Sequence, residues 1–180
     1  MRTHDETSSV GFHLAHEGQC RKLVGEGYVA ANMGFLPAGI VVARISAGAK
    51  KGLLCPIDFK VTLTEASSAT TFSVKEEDAK YFAVGDDVSV FGKITNIAAP
   101  SEGKVVITGT SSGSTTADVT YKFDELKMVV DQAAFADENG AQTSILYSNA
   151  VVYKSKLVNI TDEAIGTAGW AIDGQFVIMK

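Results

Sequence analysis

The chain has 180 residues, a mass of 19.0 kDa and a formal charge of −5. This length allows one domain or two small ones of roughly 100 to 150 residues and excludes a large multidomain enzyme. Apolar residues at 46% and charged residues at 21% exclude disorder throughout the chain, and an acidic balance without a Lys or Arg block excludes nucleic acid as an expected partner.

β-branched residues are abundant, with 19 Val, 11 Ile and 15 Thr against only 3 Pro, which predicts a mainly β protein. The first residues are polar and do not contain the apolar stretch of a secretory signal, and no apolar run reaches the ~18 residues that a membrane span needs. We therefore expect no membrane partner. Cys20 and Cys55 are too few for a disulfide scaffold.

Residues 1–33 are polar and Gly-rich, and they show neither a strand period nor a helix period. This texture predicts an extended N-terminal arm that lies on a surface. A few apolar side chains in this arm have no evident partner within the chain. We expect them to contact another molecule, and they are Phe12, Leu14, Leu23 and Tyr28.

A turn and a buried strand follow the arm, because a Pro-Ala-Gly sequence precedes the β-branched run at residues 40–45. Residues 53–57 are predicted to form the returning strand of a hairpin, and Pro56 places this strand at the edge of a sheet or near its own end. From residue 58 to 123, apolar and polar residues alternate in several short segments, which is typical of half-buried strands; these segments are residues 59–64, 71–75, 86–91 and 119–123. Residues 93–97 and 104–108 flank a loop and are predicted to form a hairpin. Residues 75–82 break the alternation and predict one short helical turn.

The predicted domain organisation has three parts. Residues 34–57 and 124–180 form a compact β core, and residues 58–123 form an inserted small barrel or sandwich. Within the second part of the core, residues 124–135 fit either a helix or a strand with a loop, whereas residues 144–147, 150–153 and 175–179 predict strands.

Residues that carry chemistry are few and scattered. The histidines, His4, His13 and His16, all lie in the arm, and no set of four metal ligands accompanies them. Asp86 and Asp87 are adjacent, so in a strand they point to opposite faces, and a solvated turn is the simpler interpretation. The sequence therefore predicts no catalytic residue, no cofactor and no metal.

Two segments carry a resemblance to a known family. The run LPAGIVVARI at residues 36–45 resembles the opening of the head-decoration and head-fibre-type proteins of tailed bacteriophages, in which an (Ile/Leu)-Pro-Ala-Gly-Thr motif leads a strand; here Ile40 stands in place of Thr. The run ILYSNAVV at residues 145–152 is similar to the Gly-Ile-Leu-x-x-Asp-Val element of that family, with Ser144 in place of Gly and Asn149 in place of the acid.

The resemblance implies a β-tulip-like core and a non-enzymatic virion protein on the outer capsid surface, made in the host cytoplasm. Its implied partners are the major capsid protein and two further copies of the chain, as a homotrimer. A carbohydrate-binding adhesion module of a phage tail or cell surface is the alternative, with Trp170 and Tyr81 as its sugar-contacting residues. A third hypothesis is a hydrolase with a carboxylate site around Asp86 and Asp87.

Overall fold

A computed structural model shows a mainly β chain, and it describes residues 21–68, 70–111, 118–148, 150–153, 155, 157–160, 171–172 and 176–179. The strands are β1 Arg21–Val29, β2 Gly34–Leu36, β3 Val41–Ile45, β4 Leu54–Pro56, β5 Glu65–Ser68, β6 Thr71–Lys75, β7 Asp87–Val88, β8 Gly92–Ile97, β9 Lys104–Gly109, β10 Phe123–Val130, β11 Ala134–Ala136, β12 Ala141–Ser148, β13 Ala150–Tyr153, β14 Ala171–Ile172 and β15 Phe176–Met179. A 3₁₀ helix spans Glu76–Tyr81.

The chain divides into two compact units. The first, here called the barrel unit, takes its described residues from Met1–Ala43, Leu54–Asp58 and Glu125–Lys180. The second, the sheet unit, comprises the described residues of Arg44–Leu53 and Phe59–Asp124.

The barrel unit contains a closed five-stranded barrel in the order β1, β12, β10, β3 and β4. β1 runs antiparallel to β12, and a parallel contact between Val29 and Leu54 closes the barrel against β4. Two smaller sheets, β11 with β2 and β13 with β15 and β14, complete this unit. Its core is aliphatic and consists of Val29, Leu36, Ile40, Val42, Leu54, Met128, Val130, Ala136 and Ile145.

The Pro-Ala-Gly segment forms the predicted turn. The amide of Ile40 donates to the carbonyl of Pro37 at 3.2 Å, and Gly39 has a φ of 89°, as the third position of a type II turn requires. β3 then follows as a strand with four of its five residues buried. The predicted turn and strand are both confirmed.

The sheet unit carries a five-stranded sheet in the order β5, β6, β9, β8 and β7. Alternation explains its long strands, because Phe72 and Val74 are buried on β6 whereas Thr71 and Ser73 are only half-buried. The predicted hairpin of β8 and β9 and the predicted helical turn are confirmed. Val61 and Val119 form only an isolated bridge, so the strand predicted around Val61 is not a regular one.

A tight turn at Val90 shortens the strand that alternation predicts over residues 86–91. The amide of Phe91 donates to the carbonyl of Ser89 at 2.8 Å, which closes a three-residue turn. Val90 has a φ of 69°, in a region that β-branched residues rarely adopt. β7 is therefore limited to Asp87–Val88.

The sequence-predicted boundaries differ from the two units at two places. Residues 21–29 form barrel strand β1, so the predicted arm does not extend over them, and residues 1–20 lie outside the described residues. Residues 44–53 group with 59–124, whereas the predicted insertion covered only 58–123. Residues 124–135, which fitted a helix or a strand, contain most of β10 and the start of β11.

Candidate functional site

The most buried charged residue that the structure describes is Asp86, which forms an ion pair with Lys50 inside the sheet unit. Lys50 lies in the turn after β3, and Asp86 precedes β7. A bridge between Gly48 and Asp86, and a 2.9 Å hydrogen bond from the Ala49 amide to the Gly85 carbonyl, hold the two segments together. The approach depends on glycine, because a Cβ on Gly48 would lie 2.3 Å from the Asp87 nitrogen.

The Lys50 ammonium has three oxygen acceptors. Its Nζ donates to Asp86 Oδ2 at 2.8 Å, to the Tyr121 hydroxyl at 2.7 Å and to the Tyr81 carbonyl at 2.5 Å. The Tyr121 hydroxyl in turn donates to the Tyr81 carbonyl. The three N–H groups of the ammonium are thus satisfied without water, which is what a buried cation requires.

The Asp86 carboxylate is fully buried and unevenly satisfied. Its side chain is 0% exposed, and that of Lys50 is 14% exposed. Oδ2 accepts from Lys50 and from the Ala83 amide at 2.8 Å, whereas Oδ1 has no hydrogen-bond partner. A buried carboxylate oxygen without a donor is costly, so this pair is not an ordinary surface ion pair.

Aromatic rings enclose this cluster. Phe59 stacks on Tyr121 with ring centroids 5.4 Å apart and meets Tyr81 edge-on at 5.2 Å. Phe82 lies 6.2 Å from Tyr121, and Lys50 Nζ lies 5.1 Å from the centre of the Tyr121 ring. These rings reduce the contact of the ion pair with water, which strengthens the electrostatic interactions within the cluster.

Two other ion pairs of the sheet unit differ from this buried pair because they lie in solvent at the surface. A hydrogen bond from Lys60 and a second one from Thr62 lower the pKa of the Asp118 carboxyl, and Asp118 raises the pKa of Lys60. A hydrogen bond to Glu65 raises the pKa of Lys104 in the same way. All are solvated pairs, so each contributes little to stability.

A second candidate site lies on the barrel unit, where two phenylalanines are exposed. Phe35 on β2 and Phe135 on β11 are direct cross-strand partners, and their side chains are 66% and 68% exposed. Alternation places their neighbours Leu36 and Ala136 in the barrel core, so the two rings share the outer face of this small sheet. We call Phe35 and Phe135 the aromatic pair.

Acidic residues follow the aromatic pair. Asp137 and Glu138 come directly after β11 and are exposed, as is Asn139. The Asn139 amide donates to Asp137 Oδ1 at 2.7 Å, and the Gly140 amide donates to the Asp137 carbonyl, which together form the tight turn that Asn-Gly predicts. An exposed apolar centre with a negatively charged border is typical of a protein contact surface.

The structure describes two of the four predicted contact residues and leaves the other two outside its described range. Phe12 and Leu14 lie outside the described residues. Leu23 and Tyr28 both lie on barrel strand β1, and the Tyr28 side chain is 56% exposed. The aromatic pair was not predicted, because single phenylalanines at strand positions are usually core residues.

The structure also places most of the residues on which the hydrolase and carbohydrate-binding hypotheses depend. Asp86 faces Lys50 and Asp87 lies 2.6 Å from Lys122, so the two carboxylates have different partners, and the interpretation of Asp86 as a solvated turn residue is wrong. Tyr81 packs in the aromatic enclosure. Trp170 and the three histidines lie outside the described residues.

Two kinds of feature are absent from the described residues. They contain no group of three or more His, Cys, Asp or Glu side chains placed to hold a metal ion. None of the helices among them has the length and apolar character to cross a membrane.

Comparison with known proteins gives no relative. No protein-family profile, no curated protein and no solved structure matches the chain.

Proposed function

We propose that this chain is a non-enzymatic structural protein of a tailed-phage virion, which binds the outer surface of the assembled capsid and stabilises or decorates the head. The resemblance at residues 36–45 and 145–152 supports this function, and both runs belong to the barrel unit or to β3, which leads out of it. The Pro-Ala-Gly turn leads into a barrel strand, as the motif of that family leads into a strand.

The aromatic pair is the observation that carries the proposal. Two large rings that are each about two-thirds exposed on one sheet face cost solvation free energy in the isolated chain, and burial against another protein recovers it. Aromatic side chains are frequent energetic centres of protein interfaces. Phe35 and Phe135 are therefore the main capsid contacts in this proposal, together with Tyr28 and the arm residues Phe12 and Leu14.

The charge of this surface indicates the chemistry of its partner. Asp137 and Glu138 border the aromatic pair, and the whole chain carries a formal charge of −5. A capsid surface with an apolar recess and nearby Lys or Arg side chains would match both features. The homotrimer implied by the resemblance belongs to the same proposal.

Rebinding to purified heads tests this function. Heads from the phage that encodes the chain, prepared without this protein, are mixed with purified wild-type chain or with the double variant Phe35→Ser, Phe135→Ser and are then sedimented. We expect saturable binding of the wild-type chain and at least a tenfold loss for the double variant. Val84→Ser is the matched control, because Val84 is 61% exposed but belongs to the sheet unit.

Two results would contradict the proposal. One is a wild-type chain that stays in the supernatant at every concentration, and the other is a double variant that binds as well as the control. Sedimentation velocity of the free and bound protein tests the trimer separately, since a monomer in both states would exclude it.

A further inference from the structure

Lys50 and Asp86 are arranged for a reaction with each other. Nζ of Lys50 lies 2.8 Å from Oδ2 of Asp86, and the carboxyl carbon Cγ lies one bond beyond that oxygen. Both side chains belong to the sheet unit and sit on neighbouring segments that the Gly48–Asp86 bridge fixes. We propose that the two side chains condense to an intramolecular amide, which cross-links the turn at Lys50 to the segment before β7.

The enclosure favours this bond. Well-oriented intramolecular reactions reach effective concentrations of roughly 10⁵–10⁸ M, far above those of free side chains. Tyr121, Phe59 and Tyr81 limit the access of water to the pair, and the Asp86 side chain is fully buried, which disfavours hydrolysis of the product. Asp86 Oδ1 accepts no hydrogen bond, so donors hold the carboxyl group at Oδ2 only.

The step balances without any added reactant. A proton passes from the Lys50 ammonium to the Asp86 carboxylate along their hydrogen bond, which leaves a neutral amine and a neutral carboxylic acid. The Nζ lone pair attacks Cγ and forms the C–N bond, the C–O bond to the hydroxyl breaks, and this oxygen leaves as water with a proton from nitrogen. An ammonium and a carboxylate thus become one amide and one water molecule.

Tyr121 is the positioning residue for this step. Its hydroxyl accepts from Lys50 Nζ at 2.7 Å and donates to the Tyr81 carbonyl, so it fixes the nitrogen beside the carboxyl group. The other lysine–carboxylate pairs, such as Lys60 with Asp118 and Lys104 with Glu65, lack this setting because their side chains are solvent-exposed. Among the lysines whose side chains the structure describes, the cross-link is therefore expected at Lys50, and it does not depend on the proposed capsid function.

Intact-mass spectrometry of the denatured wild-type chain tests the cross-link directly. We expect a mass lower than that of the sequence by one water molecule. A tryptic digest should then contain peptide 45–51 joined to peptide 81–93, because trypsin does not cleave after an acylated lysine. The full sequence mass, both in fresh protein and in protein stored folded for several days, would overturn the proposal.

Matched variants locate the bond. Lys50→Ala and Asp86→Ala should have their full sequence masses, whereas Lys51→Ala and Asp87→Asn should still lose one water molecule. Asp86→Asn should lose ammonia instead of water, because the amine then displaces a carboxamide nitrogen. A water loss that persists in Lys50→Ala would overturn the proposal, and the digest of the wild-type chain decides it even if a variant fails to fold.

Discussion

The two units place their aromatic side chains in opposite ways. Among side chains that the structure describes, the barrel core is aliphatic and the aromatic pair lies outside it, exposed. In the sheet unit, Phe72, Phe82, Phe91 and Tyr121 are all buried and contact one another. The narrow interior of this five-stranded barrel is filled by aliphatic side chains, whereas large rings build the core of the sheet unit.

The largest expected difference in the free energy of unfolding is between variants that each remove one phenylalanine ring, one from each unit. Phe72 is 1% exposed, and its ring centroid lies 4.6 Å from that of Phe91. We expect Phe72→Ala to lower the free energy of unfolding by about 3–5 kcal/mol, because it leaves a cavity. Phe35→Ala should change it by less than about 0.5 kcal/mol. Urea unfolding measures both, and equal effects would remove the contrast between the units.

Two glycines of one turn test how tightly residues 44–53 are built into the sheet unit. Gly48 and Gly52 have φ values of 84° and 89°, but a Cβ would collide with the Asp87 backbone only at Gly48. Gly52→Ala should cost about 1–2 kcal/mol from the positive φ alone. We expect Gly48→Ala to cost at least about 3 kcal/mol in thermal unfolding. Similar costs would show that this turn packs loosely.

The turn at Val90 tests whether the sheet unit stores backbone strain. Asparagine tolerates the left-handed region better than valine, so Val90→Asn should stabilise the protein by about 0.5–1 kcal/mol. Val84→Asn is the control, because Val84 is also exposed but is not among the residues with positive φ. A lower unfolding temperature for Val90→Asn than for Val84→Asn would contradict this expectation.

The smallest expected effect is on how the free energy of unfolding depends on pH, and it arises from Asp118 on the surface of the sheet unit. The folded-state pKa of Asp118 is lowered by Lys60 and Thr62, so its contribution to stability is present above the usual carboxyl pKa and is lost as the pH falls through the folded-state pKa. Asp118→Asn should remove this part of the acid dependence. Denaturation midpoints of both proteins across the acidic range measure it, and parallel curves would exclude the contribution.

The sequence predicted the local elements better than the long-range ones. Alternation and the Pro-Ala-Gly turn predicted β3, β6, β8 and β9, because these depend on a few neighbouring residues. β1 was missed because its glycines suggested an arm. In the structure a Cβ on Gly27 would lie 2.9 Å from both Ile145 Cγ2 and the Thr143 carbonyl, so this glycine permits the close approach of β12.

The candidate sites were missed for a similar reason. Asp86 followed by Asp87 has the appearance of a solvated turn, and only the fold shows that Lys50 reaches it. Phe35 and Phe135 are a hundred residues apart, and their pairing depends on the register of β2 and β11. Neither juxtaposition has a signal in a single sequence, since both arise from contacts between distant segments.

The connectivity of the barrel sets an order for its assembly during synthesis. β1, at Arg21–Val29, pairs along its length with β12, at Ala141–Ser148, so the ribosome releases the whole of the sheet unit before this antiparallel partner of β1 exists. The sheet unit can fold first, and until β12 is made the backbone groups of β1 that bond to it are unpaired. A translation product that stops short of β12 retains an open strand edge and is therefore prone to aggregation.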